Sequence, residues 1–299
     1  MFHPDGRNII SLFTCSIRYL VAASSESAMI SASPRAKIRS AAWQEGEVII
    51  RREHMSAKFA LYYWPIPFRG NFVKVLFAYK QEPLELAAVP ELVKLKNLPV
   101  AEQPCPFMAP PYLHDKEADL YLSQLPAIMN YCSAKLGLLP EALDKQALAL
   151  KVMEDANDML AEMSRGNGAR MWDKEAWLAF VAPSGGRFVR WLQIFEALGT
   201  KHGLTLERGF LLGTEGATMA DLVVFALLNT MERSLPELKT VLREHAPKAM
   251  ALTDRLAQSG GLKAFLETQK EVKVWCGGYI EKSIRAMLDG SYTDVVVGS

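Results

Sequence analysis

Leu61-Tyr62-Tyr63-Trp64-Pro65-Ile66-Pro67-Phe68-Arg69-Gly70-Asn71-Phe72-Val73-Lys74-Val75-Leu76-Phe77-Ala78-Tyr79-Lys80 reads as a short apolar strand, a Pro-bearing loop that cannot pair, and a helix opening near Arg69. Phe72, Val75, Leu76 and Tyr79 recur at helical spacing and make one apolar face. A strand ending in tyrosines brings phenol hydroxyls to the start of a helix. There they can reach an anion held by the unpaired N–H groups of the first turn.

Outward from this stretch, composition narrows the possibilities. A chain of 299 residues, half of them apolar, suits two domains with large cores. A formal net charge of +1 argues against a nucleic-acid binder, which would carry a basic face or stripe. Cys15, Cys105, Cys132 and Cys276 are scattered, the pattern of free thiols in a reducing compartment. His3, His54, His114, His202 and His245 form no metal-ligand spacing, so no metal is expected.

Residues 1–57 differ from the rest. Ile9 to Tyr19 is apolar but interrupted by Arg18 and too short to span a bilayer, so no membrane partner is expected. Ser- and Ala-rich sequence and then Arg35, Lys37 and Arg39 follow, a weak likeness to an organelle transit peptide. The alternatives are a disordered extension or a start set too early, since Met55 leads straight into a strand as an ordinary initiator would. The expected location is cytoplasmic, or mitochondrial or plastid if this segment is a genuine transit sequence.

Residues 58–138 read as a small α/β unit. Strand 59–63 and helix 69–80 come first, then a strand at Leu84 to Ala88 and a helix opening at Pro90-Glu91. A Pro-punctuated loop from Leu98 to Pro111 leads to a hairpin, Tyr112-Leu113-His114 and Leu120-Tyr121-Leu122. Helix 124–136 puts Ile128, Tyr131, Cys132 and Leu136 on one face and stops at Gly137. From Glu141 onward the signal is helical. Leu143 to Met163 carries Leu150, Met153, Met159 and Leu160 on its apolar face, then come Arg187–Leu198, Ala217–Arg233, Leu238–His245 and Pro247–Ala257. A further amphipathic helix is expected over 271–288, using Val274, Ile280, Ile284 and Leu288, and Gly290 to Ser299 reads as a tail. The expected organisation is an extension (1–57), an α/β domain (58–138), an all-helical domain (141–289) and a tail (290–299).

Four places carry a resemblance to a known family. Tyr63-Trp64, a short loop, Arg69-Gly70 and an aliphatic helix form the first. Ala109-Pro110-Pro111-Tyr112-Leu113 is the second, and Leu122-Ser123-Gln124-Leu125-Pro126-Ala127-Ile128 the third. The fourth is Gly213 followed by Thr218-Met219-Ala220-Asp221-Leu222, where Thr and Asp at this spacing cap one helix start reciprocally. Together they resemble the soluble glutathione transferases of the tyrosine type. The implied fold is α/β plus all-α: an N-terminal thioredoxin-like domain (βαβαββα) followed by the all-helical glutathione transferase C-terminal domain.

The resemblance also implies roles. Tyr63 falls on the catalytic tyrosine that donates its hydroxyl to the glutathione sulfur, with Tyr62 as second choice and Trp64 beside it. The chemical need is clear, because a thiol with a pKa near 8.5 is a poor nucleophile at neutral pH. Lowering it by about two units takes roughly 2.7 kcal/mol of preferential thiolate stabilisation. Pro111 takes the place of a cis proline whose predecessor pairs with the cysteinyl part of glutathione. That predecessor, Pro110, lacks an N–H, which removes one hydrogen bond worth about 1 kcal/mol. Gln124 matches the residue that binds the γ-glutamyl carboxylate. Leu125 stands where a hydroxyl is expected, so Ser123 either substitutes from the neighbouring position or is simply the helix N-cap. Arg69 binds a carboxylate, tunes the tyrosine or forms a structural salt bridge.

The implied activity is conjugation of glutathione, as co-substrate, to an apolar electrophile in a cleft between the domains of a homodimer, as in detoxification. A non-catalytic binding or assembly module is the alternative, motivated by Pro110 and Leu125. A thiol reductase using Cys105 is a third reading. Cys105-Pro106-Phe107 is not at the first strand's end, where a helix N terminus would activate the thiol. Met153, Met159 and Met163 read as core.

Overall fold

The structure is a computed structural model that describes residues 57–290. Residues 1–56 of the expected extension and 291–299 of the expected tail lie outside the described residues. The first half is β1 (Phe59–Tyr62), α1 (Arg69–Lys80), β2 (Leu84–Leu86), α2 (Val89–Lys96), β3 (Tyr112–Asp115), β4 (Leu120–Ser123) and α3 (Leu125–Lys135), the βαβαββα order expected. The sheet runs β2-β1-β3-β4, with β2 parallel to β1 and the other pairs antiparallel. A parallel neighbour needs a crossover, and α1 supplies it. Phe59 and Leu61 point toward α1, where Phe59 meets Phe77 edge-on at 5.2 Å.

Asp115 fixes the β3–β4 turn. Its buried carboxylate accepts the N–H groups of Glu117 (3.0 Å) and Ala118 (3.1 Å) and the Tyr131 hydroxyl (2.7 Å), with Lys135 at 3.4 Å. Burial alone would raise its pKa, but these donors outweigh it and hold the group below its ordinary value. A depressed carboxylate pKa adds stability above the ordinary value, and that stability is lost as pH falls through the folded one. Asp115→Asn is therefore expected to lower the urea midpoint at neutral pH, with the gap to wild type closing in acid.

The second half is helical: α4 (Leu143–Met163), a four-residue turn α5 (Arg165–Gly168), α6 (Lys174–Val181), α7 (Arg187–Lys201), α8 (Met219–Ser234), α9 (Lys239–His245), α10 (Pro247–Ala257), α11 (Gly260–Thr268) and α12 (Gly278–Asp289). Among the described residues, no helix is long and apolar enough to cross a membrane. α8 is apolar nearly all round because it is the central helix, packed by α4, α10 and α1. Its start is capped as expected: Asp221 accepts the Thr218 N–H (2.8 Å) and hydroxyl (2.9 Å), and also the Leu211 N–H (2.7 Å).

α1 is gripped from the helical half along its length. Asn71 donates to the Thr230 hydroxyl at 2.9 Å. At the other end, α11 crosses so closely that a Cβ on Gly261 would lie 2.0 Å from the Ala78 carbonyl oxygen. α1 is therefore buried on more sides than a single face, with Val73 and Phe77 joining Phe72, Val75 and Leu76, while Tyr79 is only partly covered.

Three expectations need correction. β1 ends at Tyr62, leaving Tyr63 in the loop. On α4 the buried row is Ala149, Val152, Met153, Ala156, Met159, Leu160 and Met163, so Leu150 lies off it, 39% exposed. The last helix starts at Gly278 instead of residue 271, and Val274 is 41% exposed. Gly277 (φ 72°) and Gly278 (φ 69°) break the helix here. The preceding segment turns back because the buried Glu281 carboxylate accepts the N–H groups of Trp275 (2.9 Å), Cys276 (2.9 Å) and Gly277 (2.5 Å).

Candidate functional site

Strand pairing assembles the residues singled out in the sequence. Tyr62 pairs with Tyr112, and Tyr112 with Ser123, so all three lie in one row at one end of the sheet. The Pro110–Pro111 peptide, immediately before β3, is cis. Gln124 immediately follows β4, and α1 and α3 both open close after strands that finish in this row. Segments some sixty residues apart in sequence thus share one edge.

The two adjacent tyrosines diverge there, as successive residues of an extended chain do. Tyr62 turns toward Tyr112, whose ring centroid is 6.1 Å away, and feels the charges of Glu85 and Glu91 on the β2–α2 side. Tyr63 turns toward α1 and is 8% exposed. Burial pushes its pKa up to about 12, while the Arg69 charge and the Gly70 and Arg69 N–H groups pull the other way. The phenol therefore keeps its proton and is a donor.

Gly70 makes this packing possible. A Cβ built there would lie 2.2 Å from Tyr63 Cδ1 and 2.5 Å from Cγ. Nothing in the sequence marks Gly70 for this role, since only the ring position reveals the need. Gly70→Ala is expected to displace the Tyr63 ring and cost about 1–3 kcal/mol of stability by overpacking, measured as a fall in the urea midpoint.

Of the roles expected for Arg69, the structural salt bridge is the one the structure does not show. Its Nε donates to Asn157 Oδ1 at 2.9 Å and its Nη1 to Asn167 Oδ1 at 2.6 Å. Its guanidinium also lies 4.8 Å from the Phe68 ring centroid. Among the described residues no carboxylate pairs with it, so the structural salt bridge is replaced by two amides. Trp64 is half-buried against the core, its carbonyl accepting the Ile66 N–H at 2.8 Å.

At the α3 start, Gln124 is the N-cap, with φ 69° and ψ 118°. Ser123 ends β4, so the N-cap reading of Ser123 is corrected. A positive φ at a non-glycine residue costs on the order of 1–3 kcal/mol and recurs at functional positions. Leu125 is 2% exposed and packs into the core, which explains an apolar residue where a hydroxyl was expected. The first-turn N–H groups of Leu125 and Ala127 have no intrahelical acceptor, and Pro126 has none to give.

Cys105 belongs to no helix start. Its N–H donates to the Tyr112 hydroxyl (2.9 Å), which in turn donates to the Cys105 carbonyl (3.1 Å), so the backbone here buttresses β3. Met153, Met159 and Met163 are fully buried core residues.

The sequence did not point to the segment that covers the loop. Trp275, 1% exposed, meets Phe68 edge-on at 5.1 Å, and Cys276 contributes to the electrostatics of Tyr63. Among the described residues, two of the cavities lie elsewhere. One of about 250 Å³ is lined by Tyr79, Phe210, Leu252 and Leu256, and one of about 10 Å³, room for a single water, adjoins Asn71 and Thr230.

Comparison with known proteins gives the fold its relatives. Residues 148–287 match the family described as "Glutathione S-transferase, C-terminal domain". The chain resembles the pi-class glutathione S-transferase of Onchocerca volvulus at 18% identity and a TM-score of 0.60, covering 75% of this chain and 99% of that one. It also resembles prostaglandin synthase D of Nilaparvata lugens at 17% identity and a TM-score of 0.54, covering 71% and 98%. No curated protein matches the sequence significantly. The fold is that of the soluble glutathione transferases, with a thioredoxin-like half followed by their helical domain.

Proposed function

We propose that this chain, which has the soluble glutathione transferase fold, conjugates glutathione to an apolar electrophile, with the thiolate held by the Tyr63 hydroxyl. One observation carries the reading. A neutral, buried phenol packs on Gly70 at the α1 start, next to the Arg69 charge. An O–H donor facing S⁻ is a charge-assisted bond, stronger than one to the thiol, so it favours ionisation. The helix start and the Arg69 cation add to the same preference.

Gln124, Ser123 and the free N–H groups of the first turn of α3 suit the γ-glutamyl carboxylate. The Pro110 carbonyl, ahead of the cis bond, suits the cysteinyl N–H. Pro110 and Leu125 supply fewer donors than a full site would, and they favour weaker glutathione binding over none. A homodimer and a detoxifying role follow from the family resemblance and belong to the same proposal.

Retention on immobilised glutathione together with conjugation of a model aryl halide tests it. Retention and turnover support the transferase reading. Retention without turnover supports the binding-module reading, and absence of both removes glutathione from the account.

A further inference from the structure

Arg69 and the turn that reaches it are unusual together. Four consecutive residues after α4 have positive φ: Arg165 (51°), Gly166 (66°), Asn167 (58°) and Gly168 (86°). L-residues visit this region singly, so a run of four is disfavoured and has to be held in place. Gly166 and Gly168 bear it freely, and asparagine tolerates it better than most. The Ser164 hydroxyl accepts the Asn167 N–H at 3.2 Å, and the Ser164 carbonyl accepts the Gly168 N–H at 2.8 Å. The result is an Asn167 side chain fixed on Arg69.

The geometry points to Asn157 and Asn167 as positioning residues that aim Arg69 at Tyr63 while leaving its positive charge unneutralised. This rests on the transferase reading above. A guanidinium has five donors and no acceptor, so each amide must present its oxygen. Gripping Nε and Nη1 from two separate elements fixes the plane of the group without cancelling its charge, whereas two carboxylates would cancel it. The groups around this charge support that reading. Tyr63 faces it and is kept neutral by burial. Cys276, on the covering segment, is likewise pushed up to about 12. Behind it Glu281 is engaged by Arg285 and three backbone N–H groups. Arg165, on the turn itself, lies 4.6 Å from the Trp172 ring centroid. Nothing described at this point cancels the Arg69 cation, so its field falls on whatever anion meets the Tyr63 hydroxyl.

Aspartate at either asparagine keeps the acceptor and adds a negative charge, whereas alanine removes the acceptor and adds no charge. The test compares Asn167→Asp and Asn157→Asp with Asn167→Ala and Asn157→Ala, reading kcat/KM for conjugation against pH and the KM for glutathione. Asn167 is on an exposed turn where aspartate also tolerates positive φ, so its variant is expected to fold. The expected result is that each aspartate variant moves the acidic limb of the profile up by about one unit, roughly tenfold in rate below the midpoint, with KM little changed. An ultraviolet titration of the bound glutathione thiol should move by the same amount. If the asparagines only hold Arg69 in place, aspartate will restore what alanine loses, with the profile unmoved, and the inference is overturned. A wild-type protein that conjugates glutathione while both aspartate variants leave the profile unmoved sinks this inference alone. A wild type that neither binds nor conjugates sinks the transferase reading and this inference with it.

Discussion

Tyr63→Phe should lower kcat for glutathione conjugation by about 10- to 100-fold while leaving glutathione KM within a few-fold of wild type. The size follows from the bond removed. A hydrogen bond to a charged partner is worth about 1.5–3 kcal/mol, and each 1.36 kcal/mol is a factor of ten in rate. It falls on kcat because the phenol's preference is for the thiolate, while most of the tripeptide binds elsewhere. Phenylalanine keeps the ring on Gly70, so folding should be preserved and the change is confined to one hydroxyl. Tyr62→Phe is the control. Its hydroxyl lies on the other face of the strand, with Tyr112 and the β2–α2 side, and its loss should change kcat less than about twofold. A Tyr62 variant more damaged than the Tyr63 variant would reverse the assignment. Steady-state kinetics with a thermal melt on each variant suffices.

Asp221→Ala should destabilise the helical half strongly, by about 3–5 kcal/mol. The carboxylate is fully buried and accepts three hydrogen bonds, two from Thr218 and one from Leu211. Alanine leaves two backbone N–H groups buried without acceptors, each costing about 1–3 kcal/mol, on top of the lost cap. Natural stabilities are about 5–15 kcal/mol, so much of the margin disappears. Thr218→Ala, which removes the hydroxyl half of the reciprocal cap and leaves the Asp221 bonds to the Thr218 and Leu211 N–H groups in place, should cost about 1 kcal/mol. Urea melts give both values, and near-equal losses would show that the Leu211 contact contributes little.

The sequence made α1, α4 and α10 legible to the residue, because each has an unbroken apolar periodicity and a clear start or stop. The reciprocal cap at Thr218 and Asp221 was legible because its spacing is local. Tyr63, Pro111 and Gln124 are grouped only by the family resemblance, since nothing local says that β1 and β4 end, and β3 begins, in one row. What stayed hidden was long-range. Asn157 and Asn167 lie about ninety residues from Arg69, and no pattern links an amide on a helix to a guanidinium on another. Apolar periodicity predicts a continuous helix through Trp275, because it carries no information about glycines at positive φ or about a glutamate gathering the N–H groups ahead of it. Gly70 was visible as a letter, but its necessity depends on where a neighbouring ring lies.

The grip on α1 has a consequence for how the molecule comes apart. Arg69 is tied to Asn157 and Asn167, Asn71 to Thr230, and Ala78 lies under Gly261, so one helix of the thioredoxin-like half is fastened to the other half in its first turn and again near its end. The halves have no clean seam between them. Separating them would strip α1 from the helices that cover it or tear it from its own sheet, and either loses the apolar burial that keeps it folded. Denaturation of this region is then a single cooperative event, and neither half cut out alone retains the surroundings its residues were shaped for.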